Sequence, residues 1–209
     1  MPRLVCSALF VSMLLITPAT QAGTITPTAR SKQLIELTYQ VKTTTEAVLS
    51  EADRIANDKL YKQLDTFIDF GRLTDGPVSV HTKTLSKKQI KTIKKLFRDA
   101  VRTIAYPKTG GFLQKAELTW GTESLEGKKA SVDLSLWVES EDLETDITFH
   151  WFQTPKGWKI IDMSFDGASL VKDYQNQFGK VIASDGAAAL VRKLKTRLTE
   201  AQKKYGKSS

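Results

Sequence analysis

The sequence predicts an α+β protein: helices packed on one face of a curved, mainly antiparallel four-stranded sheet. Three observations predict it. Helical periodicity dominates from Lys32 to Ile104. Four strand-like segments follow between Phe112 and Phe165, with connections short enough for hairpins. Amphipathic helical spacing then returns from Ser169.

Residues 1–22 read as a secretory signal. Arg3 is the charged start, Leu4 to Ile16 is the apolar run, Pro18 breaks it, and Thr20-Gln21-Ala22 places small residues at a cleavage site. The run is shorter than the roughly 20 residues of a spanning helix, and Cys6 precedes most of it, which argues against lipidation. Cleavage near Ala22 removes the one cysteine. The remaining chain, 23–205 as a single domain with a frayed tail at 206–209, must then stand on its apolar core without a disulfide. Export across the inner membrane places it in the periplasm.

Thr24 to Arg30 reads as a polar lead-in. From Lys32, Leu34, Val41, Val48 and Ile55 repeat every seven residues, with Leu37 and Ala52 between them, across the β-branched run Thr43 to Thr45. A second helical segment carries Leu60, Leu64, Phe67 and Ile68 and ends near Asp69-Phe70-Gly71. Leu73 to Thr84, with Asp75-Gly76-Pro77, reads as a loop. Ser86 and Gln89 have capping-box spacing. The helix that they open buries Ile90, Ile93, Leu96, Phe97, Ala100, Val101 and Ile104. It turns Lys87, Lys88, Lys91, Lys95, Arg98 and Arg102 outward, until Pro107 to Gly111 stops it.

The first strand is expected over Phe112 to Gly121, with Ala116, Leu118 and Trp120 on one face. In the second, Lys129 to Glu139, Val132, Leu134, Leu136 and Val138 alternate with polar residues. In the third, Leu143 to Gln153, Thr145, Ile147, Phe149 and Trp151 stand opposite Asp146, Thr148 and His150. The fourth holds Trp158, Ile160, Ile161, Met163 and Phe165. Gly167 breaks it, and Ser169 caps a helix that places Leu170, Tyr174 and Phe178 on one face. A last helix runs from Asp185 to about Lys204.

The formal charge is +8. Export argues against a nucleic-acid partner, so the excess suits solubility, anionic lipid headgroups or an acidic protein. Catalytic signals are poor. His81 and His150 are the two histidines and stand apart with no ligand spacing, so neither a metal nor a cofactor is expected. Ser169 lacks the second glycine of a nucleophile elbow. Asp162, between Ile161 and Met163, is the one candidate acid. It could serve a pocket enzyme of the ketosteroid-isomerase-like class or simply cap a backbone group.

The stretch after Pro155 also carries a resemblance. Trp158, Lys159 and Asp162, then Gly167, Ser169, Leu170 and Val171, then Tyr174, Gln177 and Phe178, resemble the periplasmic phospholipid carriers of the MlaC type, the toluene-tolerance family. Ile68-Asp69-Phe70, Gln89, Phe97 and Tyr106 extend the likeness. The segment from Gly71 to Ser86 departs from it, since it lacks the Trp usual there.

The resemblance implies an apolar cavity between sheet and helices that holds acyl chains, with headgroups at the opening. Candidate lining residues are Phe97, Val101, Trp120, Leu134, Leu136, Phe149, Trp151, Ile160, Tyr174 and Phe178, each of which could equally be plain core. It implies a lipid shuttle that keeps the outer membrane asymmetric, with no enzymatic activity and no cofactor besides the phospholipid cargo. Its partners would be an inner-membrane ABC transporter bearing a lipid-binding ring and an outer-membrane lipoprotein–porin complex. A non-lipid binding or scaffold protein is the remaining alternative.

Overall fold

Thr26 opens the first helix. Its hydroxyl accepts from the Ala29 N–H, and Pro27 stands at the first helical position, where a missing N–H costs nothing. Helix α1 therefore spans Pro27–Tyr39 and begins inside the stretch expected to be a lead-in. The computed structural model describes residues 25–43 and 49–205. The expected signal segment, Thr44, Thr45, Val48 and the expected tail lie outside them.

The seven-residue repeat does not belong to one helix. The chain leaves α1 after Tyr39, and Val41 is fully buried in non-helical backbone. The Asn57 side chain holds the Lys42 peptide from both sides, accepting from its N–H at 2.8 Å and donating to its carbonyl at 2.8 Å. Ser50 then caps a new helix, α2, over Glu51–Leu64, and Ile55 is 50% exposed on it. Two strong caps and a fixed peptide outweigh an apolar period that spans β-branched residues.

A tight turn over Asp65–Phe67 leads to Ile68, and Asp69 caps helix α3, Phe70–Ser79. The first part of the expected loop, Leu73 to Ser79, is thus helical, although it contains Gly76 and Pro77, and the rest, Val80 to Thr84, is turn. Leu73, Thr74, Pro77 and Val78 are buried, and that packing overrides the local turn signals. Gly76 is required by closeness: a Cβ there would stand 2.2 Å from a methyl of Val171.

The Ser86 capping box forms, and α4 spans Lys87–Ala100. Pro107 does not stop the helical path. The backbone widens into a π-helical turn over Val101–Ala105 and continues as α5, Tyr106–Leu113. Pro107 lacks an N–H and its ring crowds the carbonyl four residues earlier, and a widened turn relieves both. The turn also rotates the buried face. Ile93 and Phe97 on α4 enter one apolar cluster, whereas Tyr106 and Leu113 on α5 enter another.

The sheet has five antiparallel strands rather than four, in the order β1 Glu117–Glu126, β2 Lys129–Val138, β3 Leu143–Thr154, β4 Gly157–Phe165 and β5 Ala168–Ser169. Phe112 lies in α5, so β1 starts later than expected. The fifth strand follows a two-residue hairpin, Asp166-Gly167, in which both residues have positive φ, 48° and 79°. This is the geometry that Asp-Gly favours. Register shifts between Trp120 and Glu123 in β1, and opposite His150–Trp151 in β4, curve the sheet. Helices α6, Leu170–Asp185, and α7, Ala187–Tyr205, complete the chain.

Two apolar clusters result. The first joins the inner face of β2, β3 and β4 to α1, α2 and α5. Its deepest polar contact is Trp151, whose indole N–H donates to Ser31 Oγ at 3.1 Å, while that hydroxyl donates to the Pro27 carbonyl at 2.9 Å. The second cluster is helical and joins α3, α4, α6 and α7.

Asp69 titrates with the stability of this arrangement. Burial alone would raise its carboxyl, but the N–H groups and guanidinium of Arg72 and the Gly71 N–H more than offset it, holding the group below the usual carboxylate range. A folded-state value below the unfolded one stabilises above about pH 4 and is lost as pH falls further. Asp69→Asn keeps the cap acceptor but not the charge. It should melt below the wild type at neutral pH by up to about 1 kcal/mol. The two melting curves should converge as pH drops below the carboxylate range, and a constant gap would refute the assignment.

Candidate functional site

The chain passes from one apolar cluster to the other at Ile68, which packs against both. Its backbone bridges to Ile160 of β4, and the next N–H, that of Asp69, donates to the Ile160 carbonyl at 2.9 Å. Over this seam lies an open groove of about 470 Å³, lined by Asp65, Ile68, Asp69, Phe70, Arg98, Thr154, Pro155, Lys156 and Lys159. A second depression of about 270 Å³ shares Phe70 and Arg98 and adds Lys94 and Lys95.

Both carboxylates of the groove are already engaged. Asp65 is ion-paired with Arg102, accepts from the Tyr106 hydroxyl at 2.9 Å and lies 3.5 Å from Arg98. The bond to Asp65 raises the Arg102 pKa, and burial followed by the Asp65 charge raises that of Tyr106. Asp69 is held by Arg72. The cations are less well matched. Arg98 lies over the Phe70 ring, 5.0 Å from its centroid. Lys159 donates to the Thr66 carbonyl, and burial, then Arg30 and Lys156, push its pKa down. The groove therefore keeps a positive balance over an apolar floor of Ile68, Phe70 and Pro155, which suits an anionic group carried on an apolar body.

The ten candidate lining residues fall into two groups. Leu134, Leu136, Phe149, Trp151 and Ile160 are buried in the sheet cluster, with Val101 and Trp120 half-buried against it. Phe97, Tyr174 and Phe178 form an aromatic set in the helical cluster, with Phe97 4.6 Å from Tyr174 and 6.1 Å from Phe178, edge to face. Ile68, Asp65, Lys156 and Lys159 were not among the candidates. Asp65 meets Arg102 across 37 residues, a pairing with no local signal.

Asp162 is occupied. One carboxylate oxygen accepts from the Met163 and Val171 N–H groups at 2.8 and 3.0 Å, and the other from the Ser169 hydroxyl at 2.6 Å. With Ser169 accepting from the Lys172 N–H, it caps α6. His150 is half-buried and bonds Ser164 Oγ at 2.8 Å, while His81 lies 3.3 Å from the Gln175 carbonyl. Asp162→Ala should cost about 1–3 kcal/mol in urea denaturation, the range for leaving such donors unmatched. Asp162→Asn, which keeps an acceptor for the backbone N–H groups, should lose less than half of that. Equal losses would sink the capping role.

The family described as MlaC protein matches residues 30–196. No curated relative matches the sequence. A solved phospholipid-binding protein from Ralstonia solanacearum, in complex with a phospholipid, has a similar fold: the TM-score is 0.60 at 19% identity, over 83% of this chain and 97% of that one. With most of its length inside the family match, this chain belongs to the MlaC family.

Proposed function

We propose that this protein is a periplasmic phospholipid carrier. It would take lipid from one membrane complex, shield the acyl chains between sheet and helices, and deliver the lipid to another. The donor and acceptor would be an inner-membrane ABC transporter complex and an outer-membrane lipoprotein–porin complex, in a system that maintains outer-membrane lipid asymmetry. Family membership supports this reading, as does the phospholipid held by the protein of similar fold.

The observation that carries it is the seam at Ile68. Two apolar clusters meet there beneath an open groove whose carboxylates are engaged and which Arg98, Lys156 and Lys159 line. Acyl chains entering between the clusters would leave the phosphate among those cations. Each buried methylene contributes roughly 0.8 kcal/mol, so a lipid with two chains is held without covalent chemistry. Among the described residues no helix is long and apolar enough to cross a membrane. An isomerase-like role for Asp162 is disfavoured, because its carboxylate is committed to three donors at the start of α6.

Mass spectrometry of organic extracts from protein purified out of a bacterial periplasm should recover phospholipid near one per chain. Its absence after mild purification would sink the reading and favour a non-lipid binding protein. Trp120→Asp combined with Val101→Asp places charge at half-buried positions beside the sheet cluster. It should lower recovered lipid by at least about tenfold, since a carboxylate beside acyl chains must be desolvated. Asp162→Asn should leave recovery unchanged.

A further inference from the structure

Charge in this chain is sorted by layer. Helices α4 and α7 each carry six basic residues against one acid, a net +5 apiece, so the remaining chain is net −2 out of the formal +8. The segment that forms the sheet, residues 117–169, has eleven acids and four basic residues, a net −7. The two helices pack against each other and against α3 and α6, which in turn contact β4. They form the layer away from the sheet.

Their inner faces are sealed by Ile93, Phe97 and Leu190 in the helical cluster. Elsewhere on the two helices Lys87, Lys88, Lys91, Arg192, Lys195 and Arg197 are exposed, Arg197 flanking the inner stripe and the others turned further from it. None of these six has an ion pair among the described residues. Neighbouring Lys95 and Lys193 do have partners, Asp99 and Asp185. The two helices pack against each other, so these like charges repel one another, and the acids nearby, Asp99 and Asp185, are each paired with a neighbouring lysine.

We infer that the joined outer faces of α4 and α7 dock the protein on a bilayer surface that contains anionic phospholipid. The inference uses the carrier reading only to identify the anionic surface as lipid. A negative headgroup layer supplies the missing counter-charge, at roughly a fivefold gain in partitioning for each Lys or Arg brought near it. The same layer repels the acidic sheet, so the molecule lands with its helices down and its sheet away from the membrane. This surface is separate from the Ile68 groove. It sets where the protein rests, not what it carries.

The test is vesicle flotation of the full chain with phosphatidylcholine vesicles, with or without phosphatidylglycerol, over a salt series. The wild type should float only with phosphatidylglycerol vesicles and should release as salt screens the charges. Reversing two residues on each helix, Lys87→Glu, Lys91→Glu, Arg192→Glu and Lys195→Glu together, should lower partitioning by at least about a hundredfold. The corresponding Gln substitutions should give an intermediate loss and serve if the reversed variant fails to melt cooperatively. A wild type that ignores phosphatidylglycerol, or Gln and Glu variants that float as well as the wild type, would overturn the inference. So would a basic face that binds an acidic protein but no vesicle. Recovered lipid is measured on the same preparations. Flotation without cargo would overturn the carrier reading and leave the surface standing, and cargo without flotation would do the reverse.

Discussion

Strand β4 pairs along its length with β3, but on its other side β5 reaches only Ser164 and Phe165. The uncovered edge presents backbone groups that need partners. Two helices are fastened there. The Ile160 carbonyl takes the Asp69 N–H at the start of α3, and the Asp162 carboxylate takes the Val171 N–H at the start of α6. These contacts lie two residues apart on one strand. Because α4 and α7 rest on α3 and α6, the helical cluster is held to the sheet chiefly through this short edge.

The arrangement joins two cores through a narrow seam, and that geometry distinguishes it from a single packed interior. Trp151, Phe149 and Leu134 are fully buried in the sheet cluster. Phe97 meets Tyr174 and Phe178 edge to face in the helical cluster, and those two rings are tilted against each other. Ile68 packs against both, while the half-buried Met163, Val101 and Trp120 border the sheet cluster. Electrostatics follows the same division: the groove above the seam is cationic, with its acids neutralised locally, while the sheet is acidic and the outer helices basic.

Much of this is legible in the sequence. The strict alternation in Val132, Leu134, Leu136 and Val138 specifies both the second strand and its buried face, and the Ser86–Gln89 and Ser169 caps are local hydrogen-bond chemistry that needs no tertiary context. The features that escape a sequence reading are decided by distant partners. Pro77 and Gly76 read as a turn because nothing local reveals that Val171 leaves room only for glycine. The repeat through Val41 and Ile55 reads as one helix because the Asn57 grip on Lys42 is a side-chain bond across 15 residues. The fifth strand does carry a local signal, since Asp166-Gly167 is a hairpin pair in its own right, but two residues are too few to show an apolar period. For the site, the apolar candidates are recoverable from periodicity. Their division between two clusters, and the ring of Asp65, Arg98 and Lys159, depends on how helices cross.

The widened turn at Val101–Ala105 constrains the permitted length of the chain. Each residue in an α-helix rotates its successor by about 100° and advances it about 1.5 Å. Removing one residue from this turn would rotate everything after it by about 100° relative to α4. It would swing Tyr106 and Leu113 off the sheet without replacing either side chain. A single insertion or deletion between Phe97 and Tyr106 would put the two buried faces out of step. In this helix the number of residues, as well as their identity, carries architectural information.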